Sequence, residues 1–260
     1  MGMSWTLFTV WDIRVRLHSF AVLWVGLSFY YFSSPGVALA VNGLLFLSVF
    51  LHELGHCLAA RWVRGQAHEI LLHPFGGLSR LRVPRTPWAE FASTAAGPLA
   101  NLLLLGVCLP LAMLAGAFSS PSDVFAVLRQ PPSLAWALTV MVVVNGALVV
   151  FNVLPAYPMD GGRLLRAALW PVLGWRSATV VAICAAFVCG LVAISFGLPR
   201  GNLLLAALGV WVIYSSGREL KQALQTRDPS RDTDALPFEA PGAPTLYHDD
   251  DLMPHERQRP

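Results

Sequence analysis

Two histidines and a glutamate lie inside an apolar stretch that is long enough to cross a lipid bilayer. Between Val41 and Ala60, His52, Glu53 and His56 are the only charged or histidine side chains. An ionisable side chain at membrane depth costs roughly 2.5–3.5 kcal/mol on insertion scales, so three of them together indicate function. Such a chain must fold so that these groups face protein or a polar cavity rather than lipid.

The spacing of these three residues is that of a metal site. His-Glu-x-x-His on a helix places both imidazoles one turn apart on one face, where they can chelate zinc, and puts the glutamate beside metal-bound water. In a soluble metallopeptidase this helix lines a water-filled cleft. A chance match would leave three polar groups unpaired in hydrocarbon. The pattern therefore predicts His52 and His56 as metal ligands and Glu53 as a catalytic base.

The composition is that of a membrane protein. Hydrophobic residues make up 55% of the chain and charged residues 13%, against roughly 25% charged residues in soluble domains. The net charge of +3 does not indicate nucleic acid as a partner, because the basic residues are scattered beside apolar segments. Four cysteines in apolar segments predict neither disulfides nor a cysteine zinc site, and no cleavable signal peptide is expected.

Hydropathy predicts an all-α polytopic membrane protein with about six transmembrane helices. The first segment is short for a ~30 Å hydrocarbon core, so we expect it to continue into its flanks. Thr86, Pro87 and Glu90 together predict a helix start: an N-cap, proline at the first position and an acid in the first turn. The predicted spans are Phe20 to Phe32, Val37 to Ala60, Phe91 to Phe118, Leu134 to Val153, Ala178 to Leu198 and Asn202 to Ser216.

The distribution of basic residues predicts the orientation in the membrane. With six spans both termini share one side, and sixteen of the eighteen basic residues fall on that side. Only Arg129 and Arg200 fall on the other side. By the positive-inside rule both termini are cytoplasmic, in a plasma or inner membrane. The Pro121–Pro132 loop is then expected outside.

Two segments on the cytoplasmic side predict a small β-sheet at the membrane surface. Thr9 to His18 alternates apolar and polar residues, and Glu69 to Val83 shows a strand pattern interrupted by Gly76 and Gly77. Proline, aspartate, arginine and glycine dominate from Thr226 onward, which predicts a disordered tail. The expected domains are residues 1–225, a membrane domain, and residues 226–260, a cytoplasmic tail.

Asp160 is the best candidate for the third protein ligand that catalytic zinc usually has. Pro155 and Pro158 end the fourth span, and the freed backbone is tolerable at this depth only in a polar cavity or inside protein. Gly161 and Gly162 permit close approach of the backbone to a metal or substrate. In the alternative interpretation, Asp160 only caps a helix that begins at Gly161.

These motifs resemble those of the site-2 proteases, which are intramembrane zinc metalloproteases. His52 to His56 matches their zinc motif, and Asn152 to Gly162 is similar to their Asn…Pro-x-x-Pro-x-Asp-Gly-Gly region, in which other residues separate the asparagine from the first proline. Phe75-Gly76-Gly77 resembles their membrane-associated strand, and Ala96 to Asn101 resembles the start of the following core helix. Residues Ile13 to His18 are similar to the entry of the first span in the six-span branch that includes sporulation proteases. Neither a PDZ nor a CBS module is evident, which leaves regulation open.

The resemblance implies roles for further residues. One catalytic Zn²⁺ would bind His52, His56 and Asp160, and Glu53 would move the proton. Asn152, with Asn145 as second candidate, would donate to the oxyanion, although either could be a polar helix contact. Gly76 and Gly77 are expected to bind substrate. Three histidines outside the motif are expected at interfaces or in strands: His18, His68 and His73.

The substrate that the resemblance implies is a membrane-anchored protein cut in or near its transmembrane segment, such as a transcription-factor or sigma-regulator precursor. The lipid bilayer is the second partner, and a homo-oligomer or a regulatory membrane protein stays open. The rival hypothesis is a non-proteolytic membrane scaffold that retains zinc, against which Glu53 argues because a structural zinc site needs no base. A metal transporter lacks support, since ionisable residues do not repeat along several spans.

Overall fold

We describe the fold from a computed structural model, which covers residues 4–32, 34–73, 76–117, 127 and 132–225. Phe75, most of the Pro121–Pro132 loop and the predicted tail from Thr226 lie outside these residues. The described helices are α1 (Ser19–Tyr31), α2 (Pro35–Trp62), α3 (Pro87–Leu114), α4 (Leu134–Val153), α5 (Asp160–Leu173), α6 (Trp175–Gly197) and α7 (Leu203–Gln225). The strands are β1 (Ser4–Val10), β2 (Ile13–His18), β3 (Gln66–His73) and β4 (Gly76–Arg82).

Each of the six predicted spans corresponds to one of these helices, although α3 ends at Leu114, before the predicted end at Phe118, which lies outside the described residues. Among the described residues, five helices are long and apolar enough to cross a membrane: α2, α3, α4, α6 and α7. The start of α3 is at Pro87 as predicted, and Oγ1 of Thr86 accepts a hydrogen bond from the backbone N–H of Ala89 at 3.2 Å. Helix α5 is not among the predicted spans, because its apolar residues lie on one side only and the hydropathy of the segment is low; a helix beginning at Gly161 was expected only in the alternative interpretation of Asp160.

The first predicted span is shorter than a bilayer. Helix α1 has 13 residues, roughly 20 Å at ~1.5 Å per residue. The expected extension into its flanks is wrong, because His18 ends β2 and caps the helix: its Nδ1 accepts from the N–H of Phe20 at 3.1 Å. At the other end, Phe32 is extended with φ −95°, and α2 begins at Pro35.

The predicted sheet is present, with four strands in the order β1-β2-β3-β4. Strands β1 and β2 are antiparallel, whereas β2 and β3 are parallel, with Val15 opposite Ile70 and Leu17 opposite Leu72. Alternate side chains are buried on one face, among them Val15 and Ile70 at 0% exposure. The alternating apolar side chains of β2 and β3 therefore lie on one side of the sheet and are buried there, as expected for a half-buried sheet.

One predicted strand is in fact two. The segment from Thr9 to His18 turns at Trp11 and Asp12, whose φ angles are +46° and +62°, and Val10 pairs with Ile13 across that hairpin. Hairpin turns of two residues need positive φ at both positions, which glycine or asparagine normally supplies. Because tryptophan is unusual at such a position, no turn was predicted at Trp11 and β1 was not predicted as a separate strand.

The described chain forms two compact units. The first comprises the chain to Arg61, residues 66–81 and residues 96–150, and the second comprises residues 62–65, residues 82–95 and the chain from Phe151 onward. Trp136 and Val140 of α4 belong to the core of the first unit. In the second unit, Trp170 and Trp175 share a core cluster, and α6 meets α7 so closely that a Cβ on Gly190 would lie 2.9 Å from the carbonyl oxygen of Gly209.

A candidate metal centre on helix α2

Helix α2 directs the two motif histidines toward each other. The Nε2 atoms of His52 and His56 are 3.1 Å apart, and their rings are nearly perpendicular, with centroids 4.6 Å apart. Both imidazoles and Glu53 are buried, at 5%, 6% and 6% exposure. The helical i, i+4 spacing thus brings two nitrogen donors to one point, as the sequence predicted.

A glycine on α3 leaves space in front of these imidazoles. A Cβ on Gly97 would collide with Nε2 of His56 and would lie 2.8 Å from Cε1 of His52. One turn along α2, a Cβ on Gly55 would lie 2.6 Å from the carbonyl oxygen of Ala96. Since any side chain at Gly97 would collide with both imidazole rings, the two helices can approach here only with glycine at these positions.

Glu53 faces the β-sheet. A Cβ on Gly77 of β4 would collide with the side chain of Glu53, including its carboxylate atom Oε1. Gly76 has φ +140°, a conformation that side chains rarely adopt. Of the two glycines predicted as substrate-binding, Gly76 is favoured by its backbone conformation and Gly77 by the lack of space for a side chain, so that the backbone of β4 passes directly over Glu53.

Asp160 is the first residue of helix α5, where the chain continues after the break that ends α4. The N-cap position of α5 is Met159, which makes no side-chain cap hydrogen bond, so Asp160 is the first residue of the helix and the helix starts one residue earlier than the alternative interpretation placed it. Gly161 is packed against the carbonyl oxygens of Val153 and Leu154, where no Cβ would fit. The broken end of α4 and the start of α5 are thus folded tightly upon each other.

The predicted ligands form a group that could hold a metal ion. The ligand atoms that His52, His56 and Asp160 offer all lie within 4.8 Å of one another, and all three residues are buried. Two imidazole nitrogens and one carboxylate oxygen are a ligand set that suits catalytic zinc. The cleared space at Gly97 fits this interpretation, because this residue has no side chain that could enter the space beside Nε2 of His56.

The two asparagines predicted for the oxyanion differ in their surroundings. Asn145 is fully buried, and its Nδ2 donates to Oγ of Ser48 at 3.0 Å and to the carbonyl oxygen of Met141 at 2.8 Å. Asn152, in the last turn of α4, is half-buried. Both amide hydrogens of Asn145 are therefore engaged, one by Ser48 of α2 and one by a carbonyl oxygen of its own helix, whereas Asn152 lies next to the helix break.

Sequence analysis did not single out Asn101 as a site residue. Its Oδ1 lies 2.5 Å from Nδ1 of His52, and it is 0% exposed. The available signal was a set of polar side chains inside apolar helices, since Ser48, Asn101 and Asn145 each lie within a predicted span. That signal shows which polar groups need partners, but not which partner each one has.

A second buried polar cluster lies in the second unit. Arg166 of α5 donates through Nε to Oε1 of Glu90 at 2.8 Å and through Nη1 to Oε1 of Glu219 at 3.1 Å, and its guanidinium lies 5.5 Å from the ring centroid of Trp175. Arg166 and Glu90 are 5% and 2% exposed. Glu90, predicted only as a first-turn acid, is thus half of a buried ion pair.

His18, His68 and His73 lie in the sheet region, as predicted. His18 caps α1, and its ring centroid is 5.0 Å from that of His73. His68 lies on β3 beside Gln66. Among the described residues, the only group of three or more potential ligands is that of His52, His56 and Asp160.

Comparison with known proteins gives one matching family. Residues 40–196 match peptidase family M50. A zinc metalloprotease of Methanocaldococcus jannaschii is 31% identical over 224 residues, which are 84% of this chain and 61% of that protein. The Mycobacterium tuberculosis protein Rip3 is 34% identical over 214 residues, 76% of this chain and 52% of its own length. This chain thus spans between half and two thirds of the length of these relatives.

A solved structure is similar as well. The site-2 protease from Methanocaldococcus jannaschii superimposes with a TM-score of 0.58 at 28% identity, covering 84% of this chain and 95% of that one. The predicted fold class, helical spans with a small sheet, is therefore confirmed. The matched part of this chain, residues 40–196, includes every residue of the candidate metal centre.

Proposed function

Because the chain belongs to peptidase family M50, we propose that it is an intramembrane zinc metalloprotease. It hydrolyses peptide bonds in or near the transmembrane segments of membrane-anchored proteins. The observation that carries the proposal is the buried group of His52, His56 and Asp160, with Glu53 on the same helix turn as the two imidazoles. Burying four ionisable side chains together is energetically costly, and helices that only span the membrane would not need this arrangement.

The three ligands would hold the zinc ion through imidazole nitrogens and the carboxylate of Asp160. When bound, zinc supplies Lewis acidity, which polarises the scissile carbonyl and makes water a stronger acid. The carboxylate of Glu53 accepts the proton of the attacking water and delivers it to the departing amine. Asn152 is the proposed donor to the oxyanion, because both amide hydrogens of Asn145 are already engaged.

The strand beside Glu53 is the proposed site where substrate binds. A transmembrane helix has its amides bonded internally, so it must unwind before its backbone can be cut. Strand β4 passes over Glu53 at Gly77, and the backbone groups of Gly76 and Gly77 are available in this proposal to an extended substrate segment. Substrates with glycine, proline or a polar residue near the cleavage point would unwind most easily.

The chain is a multi-pass membrane protein, as its apolar helices and its family show. We infer further that both termini are cytoplasmic. With six spans, sixteen of the eighteen basic residues fall on the same side of the membrane as the termini. A cysteine introduced at residue 125 is expected to react with a labelling reagent added outside intact cells. Labelling of residue 125 only after permeabilisation would contradict both this orientation and the six-span count.

For the domain division we propose that residues 1–225 contain the whole catalytic apparatus. Every motif precedes Gln225, and the composition of residues 226–260 predicts disorder. Truncation after Arg227 is therefore expected to leave peptidase activity unchanged. If the truncated enzyme keeps its zinc but no longer cleaves, the tail belongs to the catalytic apparatus.

The variant Glu53→Gln tests the proposed reaction. It keeps the size and helix propensity of Glu53 but cannot accept a proton, so we expect bound zinc to stay at one ion per chain while cleavage falls at least ~10²-fold. The measurement is zinc content together with cleavage of a transmembrane substrate by purified enzyme in liposomes. Near-normal cleavage by the zinc-loaded variant would exclude Glu53 as the base. A wild-type protein that binds zinc and substrate without cleavage would support the rival hypothesis of a scaffold.

A further inference from the structure

A chain of amides leads from His52 away from the candidate metal centre into the bundle. Nδ1 of His52 lies 2.5 Å from Oδ1 of Asn101, and Nδ2 of Asn101 lies 2.8 Å from Oδ1 of Asn145. Asn145 is held by Oγ of Ser48 at 3.0 Å. Helices α2, α3 and α4 each contribute to this chain, and all its members belong to the first compact unit.

The hydrogen bonds at the far end fix the direction of the whole chain. Nδ2 of Asn145 donates to Ser48 and to the carbonyl oxygen of Met141, at 3.0 and 2.8 Å. Both amide hydrogens are then in use, so Oδ1 of Asn145 is the group that faces Asn101. Asn101 must donate to it through Nδ2, with a second, longer contact to the carbonyl oxygen of Ser48 at 3.5 Å. Oδ1 of Asn101 is therefore the atom that meets His52.

A carbonyl oxygen can only accept a hydrogen bond, so His52 carries its proton on Nδ1. Nε2 is then the unprotonated ring nitrogen, and it is the atom that faces Nε2 of His56 at 3.1 Å. Asn101 and Asn145 are 0% exposed, so neither amide is open to bulk solvent. The chain thus determines both the tautomer and the ring orientation of His52 before any ion binds.

We propose that Asn101, oriented by Asn145 and Ser48, is a positioning residue that holds His52 ready to bind the metal through Nε2. This inference rests on the proposed function, which supplies zinc as the ion. A metal-bound histidine usually donates its second nitrogen to an acceptor, and loss of that acceptor costs about 10- to 100-fold in metal affinity. Asn101 touches no reacting atom in this role, so its effect is exerted on the ligand alone.

The test compares zinc affinity in three purified variants by competition with a chelator. Asn101→Leu removes the acceptor with little change of volume, and we expect zinc affinity about 10- to 100-fold below wild type. Asn101→Asp keeps an acceptor for Nδ1–H and is expected to restore most of that loss. The matched control is Asn42→Leu, because Asn42 is equally buried on α2 and bonds only to Ser28 and Ala38 in the described contacts; it should bind zinc like wild type.

A second readout separates positioning from packing. The absorption bands of the cobalt(II)-loaded protein report ligand geometry, so they should shift in Asn101→Leu, return in Asn101→Asp and stay unchanged in Asn42→Leu. If Asn101→Leu does not fold, Asn145→Leu replaces it in the comparison. Its loss of zinc affinity is expected to be smaller, because Asn101 keeps its contact with Ser48.

Equal zinc affinity and equal spectra in wild type and Asn101→Leu would overturn the inference, as would an Asn101→Asp protein that binds more weakly than Asn101→Leu. The outcome for the proposed function is separate. A wild-type protein that binds zinc with the expected differences among variants but never cleaves a peptide would overturn only the peptidase activity, and a wild type that binds neither ion would overturn both.

Discussion

The protein buries ionisable side chains in two places and stabilises them differently. In the second unit the charge of Arg166 is balanced inside the protein by Glu90 and Glu219. In the first unit, His52 and His56 turn their Nε2 atoms toward each other in a space that α3 clears with glycine. A buried charge that is paired with protein groups indicates a structural role. Donor atoms that converge on an unfilled space indicate a binding site for an ion or ligand.

The largest effect is expected at the balanced cluster. Arg166→Leu leaves Glu90 buried without its partner, which should cost about 3–5 kcal/mol of folding free energy. Molecules that remain folded should keep one zinc per chain, because the cluster contains no ligand. The measurement is chemical denaturation in mild detergent with zinc analysis of the folded fraction.

The double variant Arg166→Leu, Glu90→Gln is the control for this comparison. It removes the uncompensated buried carboxylate, so it should recover part of the lost stability. If the single variant unfolds no more easily than wild type, the Arg166 cluster does not stabilise the fold and the contrast between the two regions fails.

The converse is expected for Asp160 in the metal centre. Asp160→Asn keeps the shape of the side chain but removes an anionic ligand, and should weaken zinc binding by at least about 100-fold, more than the loss of an outer-shell partner. Asp12→Asn in the β1–β2 hairpin is the control, because asparagine tolerates the positive φ of that position. Equal zinc retention by both variants under chelator challenge would remove Asp160 from the ligand set.

Two glycines on the same helix test whether the cleared space matters. Gly97→Ala would place a methyl group against both imidazoles, while a Cβ on Gly106 meets nothing within 4 Å. Forcing packed side chains apart costs about 1–3 kcal/mol, so zinc affinity should fall about tenfold or more in Gly97→Ala. Gly106→Ala should bind zinc like wild type, and a similar loss in both variants would point to a general effect on α3.

The smallest effect concerns a histidine pair outside both regions. Burial, and then the neighbouring His18, lower the pKa of His73 below its usual 6.5. A lowered pKa means that the unfolded chain binds this proton more readily, so the stability that His73 contributes is present above pH 6.5 and is lost as the pH falls below it. Melting temperatures at pH 7.5 and 5.5 should therefore differ more in wild type than in His73→Gln. An equal difference in both proteins would show that His73 does not contribute to the pH dependence.

The amino-acid sequence by itself determined the features that depend on neighbours along the chain. The facing imidazoles of His52 and His56 follow from helical periodicity, the long helices follow from apolar length, and Thr86 with Pro87 marks the start of α3. Each of these patterns is complete within one or a few turns of helix, so no knowledge of packing was needed to predict it.

The tertiary structure decided which polar groups meet across helices and strands. Arg166 and Glu90 lie 76 residues apart and Asn101 and Asn145 lie 44 apart, so their pairing depends on how the helices pack. The same holds for the passage of Gly77 over Glu53 and for the strained turn at Trp11. Sequence periodicity shows which face of an element is buried, but the partner of a buried polar side chain is set by the neighbouring element, and that neighbour is known only once the chain has folded.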